Sequence, residues 1–303
     1  MPHLEVQRSR SRSKWAFFIA VVAGGWLCLP QAATIQPFSA DISHRARGVF
    51  PGEAVLVRVV PSAPVTEIRG DIFDETVRFY PADGAGWQGL VGVDLMVEPG
   101  AYDLTLLMRP VGSAPVERAY PLTVAHKAYP TRQLTVAPRY VEPPPDVSAR
   151  IAREAQEQQA IFASASTDRL WRGPWGVPVS GRATSAFGSR SVFNGQSRSP
   201  HSGADFRAAE GTSVVAPNVG RVVLVGDTYF SGGSVILDHG WGLYSYFAHL
   251  SKILVEEGDL IESGQAVGLA GATGRVTGPH LHWTLRMNGA RVDPLSLVEL
   301  LAE

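Results

Sequence analysis

SVILDHGWGLYSYFAHL, residues 234–250, is the stretch on which the fold turns. Two apolar runs flank Asp-His-Gly, a turn signal, so the segment predicts a β-hairpin. VVAPNVGRVVLVGD (214–227) predicts a second hairpin around Asn-Val-Gly, and VEEGDLIESGQAVGLAG (255–271) a strand-turn-strand. Few helical periods occur between Trp175 and Pro294, so residues 174–303 are expected to form a mostly β domain.

Working toward the N-terminus, residues 141–173 read as a linker. PPPD (143–146) precedes SARIAREAQEQQAIFASASTDRL (148–170), which predicts one exposed helix with Asp146 at its N-cap. Before it, AVLVRVV (54–60), ETVRFY (75–80), LVGVDLMV (90–97) and YDLTLLM (102–108) are short apolar runs separated by Pro and Gly turns. Their spacing predicts an immunoglobulin-like β-sandwich over residues 34–140. The fold class expected is therefore mainly β throughout. His44 and His126 stand alone in the first domain and read as surface or turn residues.

At the N-terminus, Arg8, Arg10, Arg12 and Lys14 precede the apolar run WAFFIAVVAGGWLCLP (15–30) and then QAA. A basic cluster, a short apolar run and small residues form the pattern of a secretory signal over residues 1–33. Export to the periplasm or cell envelope, or secretion, is expected. An uncleaved segment would instead associate the chain with the inner membrane. Formal net charge is −1, and residues 1–33 hold four basic residues and one acid, so nothing argues for nucleic acid. The one cysteine, Cys28, lies inside the signal, behind Trp26 and Leu27 where a lipidation site has small residues. Without it no disulfide, thiolate metal site or cysteine nucleophile is available.

Chemistry is concentrated in three stretches: PHSGADF with His201 and Asp205, YFAHLS with His249, and GPHLHW with His280 and His282. On a strand, His280 and His282 share a face about 7 Å apart, so both can meet one metal or one can bind it while the other faces bound water. His201 and Asp205 would lie about 13 Å apart on a straight strand. To share a metal the segment must bend, and Ser202-Gly203 is where it can do so. Two histidines and one aspartate make a catalytic type of zinc set, with two further histidines free to carry protons. Taken alone, His249 reads as a packed histidine. His239, in Asp-His-Gly, reads as a turn residue.

With these residues the sequence resembles the lysostaphin-type (LytM-type) zinc metallopeptidases, which cleave peptide bonds of peptidoglycan. HSGADF, YFAHLS and TGPHLHW carry the resemblance, and SAFGSR, EGTSVVAPNVGRVV, ILDHGWGLYSYFAHLS and VDP extend it in order over residues 174–297. The family implies a compact antiparallel β-sheet domain with a groove over one zinc ion. It also implies His201, Asp205 and His282 as zinc ligands, with His249 and His280 assisting the reaction. The expected partner is a peptidoglycan stem or cross-link peptide. Within the family, the competing expectation is a non-catalytic member that binds wall or activates an amidase. Such members lose site residues, and none of the five is missing here. A biotinyl- or lipoyl-type carrier domain would need a lysine at a hairpin tip, which Lys252 does not provide. Loops 188–200 and 226–233 are expected to line the groove, with Phe193, Asn194, Tyr229 and Phe230 as substrate contacts.

Overall fold

A computed structural model describes residues 38–302 apart from 83, 85, 186 and 198, together with residues 2 and 3. The expected signal, residues 1–33, lies outside the described residues. Phe38–Glu303 forms one compact unit. Among the described residues, no helix is long and apolar enough to cross a membrane.

Seven antiparallel strands make the first half: β1 (Ala40–Arg45), β2 (Ala54–Pro61), β3 (Val65–Ile72), β4 (Glu75–Pro81), β5 (Trp87–Gly92), β6 (Gly100–Pro110) and β7 (Val116–Val124). They form one hydrogen-bonded path, β1-β2-β5-β4-β3-β6-β7, closed over a core that includes Val55, Val57, Ile68, Leu104, Leu106 and Leu122. The period of two is plain in β6, where Leu104, Leu106 and Met108 are buried in turn. It is hidden in β2 because both faces are covered. Val55, Val57 and Val59 face the first core, while Ala54 and Leu56 join the core of the second half. The run 90–97 does not stay extended to its end. Asp94 turns the chain, accepting the Met96 N–H at 2.9 Å, and its carboxylate pairs with Arg291 at 2.6 Å.

Polar bonds accompany the shared core. The Glu53 carboxylate, 1 % exposed, accepts from Arg47 and Lys127 at 2.9 and 2.7 Å. Arg47 also reaches Asp293, the N-cap of the C-terminal helix Pro294–Leu300, and Ser296 in that helix accepts the N–H of Ala54 at 3.0 Å. A buried carboxylate left unpaired would be costly, so this cluster fixes how the two halves meet.

After β8 (Thr131–Leu134), the connecting helix α1 spans only Ser148–Phe162. Its N-cap is Val147 with no side-chain cap, so Asp146 does not play the expected role; it lies in a 3-10 turn just before. Nor is the helix merely an exposed connector. Phe162 is buried against Tyr244 and Tyr246, with ring centres 5.8 and 6.4 Å apart. From there to Leu170 the chain runs without helix, the Leu170 N–H bonding the His239 carbonyl.

The second half contains β9 (Ala183–Ser185), β10 (Arg190–Phe193), β11 (Gln196–Ser197), β12 (Gly203–Arg207), β13 (Ser213–Val215), β14 (Gly220–Thr228), β15 (Gly232–Gly240), β16 (Leu243–Ile253), β17 (Leu260–Ile261), β18 (Ala266–Ala270), β19 (His280–Met287) and β20 (Ala290–Val292). The central order is β17-β14-β15-β16-β19-β12-β9, with β18 on β16, β13 on β18 and β20 on β19. The molecule is mostly β, as the sequence pattern implies.

Two local expectations need correction. The 214–227 segment is no hairpin: β13 pairs with β18 and β14 with β15, because Asn218 between them bonds the Arg172 and Pro174 backbone. The 234–250 hairpin does form, but its turn is Trp241-Gly242, which together with Gly240, the last residue of β15, lies at positive φ. His239 is therefore a strand residue and is fully buried. Its Nδ1–H donates to the Val219 carbonyl at 2.7 Å, so Nε2 accepts from Ser245 Oγ at 2.9 Å. Ser245 Oγ in turn accepts the Trp283 indole N–H at 3.1 Å. The His239 nitrogens, the Ser245 hydroxyl and the Trp283 indole N–H are all satisfied in this series, which is what makes a core histidine tolerable.

Burial pushes the His239 pKa down from 6.5 to about 4. The native state then stays neutral while the unfolded chain gains a proton, so stability is lost as pH falls from 6.5 toward 4. The loss attributable to this group is on the order of 3 kcal/mol. A His239→Gln variant is expected to show a flatter stability curve over that window by chemical denaturation; an unchanged slope would contradict it.

Candidate metal centre

The centre is built on the pairing of β12 with β19, which sets Asp205 directly opposite His282 and Arg207 opposite His280. His282 Nδ1 lies 2.8 Å from Asp205 Oδ1, and His201 Nε2 lies 3.0 Å from each of them. His201 reaches the pair because residues 200–202 leave the strand before β12 begins. Its own N–H bonds the Ser189 carbonyl at 2.9 Å and its carbonyl accepts from Gly188 at 2.7 Å. Gly203 serves this bend in a way the sequence did not suggest. Its φ is not positive; rather, a Cβ there would come within 2.6 Å of the Trp283 carbonyl and 2.7 Å of the His282 ring.

The three donor atoms fit a cation. Ligands about 2.0–2.2 Å from a tetrahedral zinc lie roughly 3.3 Å apart. The other nitrogen of His282 is held by Thr284 Oγ1 at 2.9 Å, which turns Nδ1 to the cluster. Among the described residues, this is the one group of three or more His, Cys, Asp or Glu side chains able to hold a metal. Burial opposes the charge on Asp205, but hydrogen bonds from His201 and His282 outweigh it and hold the carboxyl far below its usual range. His282 is pushed down, first by burial.

His249 and His280 stand beside the cluster, their ring centres 4.8 Å apart. His249 follows Ala248, the residue opposite His282, and adopts φ +65° where the β15–β16 register shifts. Such a conformation costs about 1–3 kcal/mol for a non-glycine residue and persists only when neighbours enforce it. Here its N–H bonds the Ser231 carbonyl, and its Nδ1–H donates to the Thr273 carbonyl at 2.8 Å. His280 likewise donates Nδ1–H to the Gly278 carbonyl at 2.8 Å. In both rings Nε2 is left as a proton acceptor, that of His280 being 3.9 Å from Asp205 Oδ1. Burial, then the neighbouring His282 and His280, lowers the His249 pKa to about 3. The packed-histidine reading of His249 therefore holds for its burial, but its ring also lines the cleft above the cluster.

That cleft has a volume of about 300 Å³. A family model described as peptidase family M23 matches residues 199–294, the span holding all five residues. A solved peptidase M23 structure from Pseudomonas aeruginosa is 30% identical, covers 84% of this chain and 96% of its own, and superposes with a TM-score of 0.60. The chain belongs to peptidase family M23.

Two curated relatives are similar over part of this M23 chain. The peptidoglycan DD-endopeptidase ShyA of Vibrio cholerae is 37% identical over 141 residues, 46% of this chain and 33% of the relative. The DD-carboxypeptidase/endopeptidase Mpg of Neisseria meningitidis is 39% identical over 97 residues, 32% of this chain and 22% of the relative. The chain thus spans a third or less of the length of these two relatives.

Of the four residues expected to touch substrate, Phe193 and Phe230 line the cleft of this M23 chain and Asn194 and Tyr229 do not. Both of the latter hold the chain's own segment after β8. Asn194 accepts the Val136 N–H at 3.1 Å and donates to its carbonyl at 2.9 Å, while Tyr229 donates to the Arg139 carbonyl at 2.8 Å. β8 itself pairs in parallel with β10, bringing Leu134 and Val136 into the cleft wall. Nothing local marked this, since the pairing joins residues about sixty apart in sequence. Arg275 also lines the cleft and escaped the sequence reading; its place in GATGRVTGPHLHW, between Thr273 and His280, was the available signal.

Gly203→Ala is expected to cost about 1–3 kcal/mol by overpacking and to lower metal uptake by displacing His282. Denaturation and metal titration read both effects, and a variant equal to the parent in each contradicts the steric role. Asn194→Ala removes both Val136 bonds, so faster limited proteolysis near residues 134–136 is expected with the overall melting transition little changed.

Proposed function

We propose that this chain is an exported zinc metalloendopeptidase that hydrolyses peptide bonds in the stems or cross-links of peptidoglycan. One observation carries the reading: two imidazole nitrogens and a carboxylate oxygen converge within 3.0 Å of one another in an open cleft, with two more histidines beside them. The names of the M23 relatives support the substrate, since they are peptidoglycan endopeptidases.

His201, Asp205 and His282 would hold one zinc ion. When bound, zinc acts as a Lewis acid toward a carbonyl and activates water as a nucleophile at neutral pH. His249 and His280, with Nδ1–H tied to carbonyls, offer Nε2 as acceptors that take a proton and return it to the departing amine. Protonated, either ring can donate to an oxyanion in the cleft. The carbonyl anchors keep both rings from rotating, so little reorganisation accompanies the proton's movement. Retention of all five side chains favours an enzyme over a wall-binding or amidase-activating relative. Export rests on the basic and apolar pattern of residues 8–33, and places the substrate within reach.

Purified peptidoglycan incubated with the chain is expected to release peptide-cleaved fragments identifiable by mass, and none with a chelator present. His282→Ala should lose both metal and cleavage. His249→Ala and His280→Ala should keep the metal while slowing cleavage about 10²–10⁴-fold. Digestion that survives the chelator and the His282→Ala change alike would sink the proposal.

A further inference from the structure

An exposed arginine, Arg207, flanks the histidine cluster and takes no part in the machinery described above. β12 alternates, with Phe206 buried beneath the sheet and Asp205 and Arg207 on the other face. The register with β19 sets Arg207 opposite His280. Among the described residues, none gives the Arg207 guanidinium a hydrogen bond or an ion pair. Arg207 lines a cavity of about 620 Å³ that adjoins the cleft and shares Thr184, Asp205, Thr277 and His280 with it. The cluster therefore sits between the two ends of one groove.

Those ends differ in chemistry. Asp205 is the one acid among the described residues lining either cavity, and its oxygen is taken up by His201 and His282. No other carboxylate at the Arg207 end offsets the arginine's charge, so that end attracts anions. The opposite end is walled by Leu134, a large apolar side chain left 37 % exposed, together with Val136, Phe230 and Val276. Arg275 stands there too, but it is already engaged, its Cζ lying 4.9 and 4.7 Å from the ring centres of Phe193 and Phe230. A carboxylate at the apolar end would lose water without gaining an unengaged cation.

Resting on the peptidase reading, we infer that Arg207 is a specificity-determining residue that binds a carboxylate carried by the substrate on one side only of the cleaved bond. Strand residues rise about 3.3 Å each, so the Cα of Arg207 lies about 7 Å from that of Asp205. An extended peptide crossing the cluster rises by the same amount, which puts the recognised carboxylate about one or two residues from the cleaved bond. The guanidinium offers a planar fork of N–H donors that matches the two oxygens. A carboxylate on the other side of the bond meets Leu134 and Val136 instead. The groove thus distinguishes the two directions in which a peptide could lie across the metal centre.

Three synthetic peptides of one cross-link sequence test this on the full zinc-loaded chain. One has a free carboxylate only on the acyl side of the cleaved bond, one only on the amine side, and one is amidated on both. A single one of the two acid peptides is expected to have a KM about tenfold or more below that of the amidated peptide, with kcat similar. Arg207→Ala should bring this KM ratio to within about twofold of unity, and Arg207→Lys should restore part of it. Equal KM for all three peptides, an equal gain from either acid, or a parental ratio in Arg207→Ala would overturn the inference. Calorimetry in the slowly cleaving His249→Ala background reads the same preference as an affinity. If none of the peptides is cleaved by the parent chain, the peptidase reading fails, and the one-sided affinity ratio with and without Arg207 still decides whether this residue reads a carboxylate.

Discussion

The structure depends on the register between β12 and β19. Antiparallel pairing puts Asp205 across from His282, and a slip of one residue would turn the two side chains to opposite faces of the sheet. The register is held by what lies on the other face: Ala204, Phe206, Leu281 and Trp283 are all essentially fully buried. Apolar packing beneath the sheet therefore sets the distance between polar atoms above it. Gly203 completes the arrangement by leaving room for the His282 ring where any side chain would collide with it.

The surrounding shell converts a cluster of histidines into an ordered centre. Each ring has a hydrogen bond that fixes its orientation: Thr284 for His282, the Thr273 carbonyl for His249 and the Gly278 carbonyl for His280. Two of those anchors come from the 271–279 loop, which also presents Arg275. One segment, clamped to the β14–β15 turn, thus orients both rings. Farther below, the His239–Ser245–Trp283 chain fixes the indole next to His282, so order in the core extends to the site.

The first half of the molecule contributes to the cleft as well as to the core. β2 is buried on both faces, and the Glu53, Arg47 and Asp293 bonds lock the C-terminal helix against it. From that anchored half the chain passes through β8, which adds to β10 and places Leu134 and Val136 in the cleft wall. A wall made this way joins an element before α1 to one after it, so the cleft is a product of the whole compact unit.

The sequence by itself determined the composition of the site and the character of the fold. Alternation put His280 and His282 on one face, ligand distance demanded a bend between His201 and Asp205, and spaced apolar runs made the chain mostly β. These are short-range properties, set by chain geometry over a few residues. Only the tertiary structure decided which strands meet, and with that the rest. It broke the 214–227 hairpin, moved the 234–250 turn past His239, ended α1 at Phe162, turned Asn194 and Tyr229 onto the chain's own backbone and brought Arg275 between two phenylalanines. Each of these depends on a partner far away in sequence, chosen by the burial of whole faces rather than by local preference, and no spacing within a segment encodes that choice.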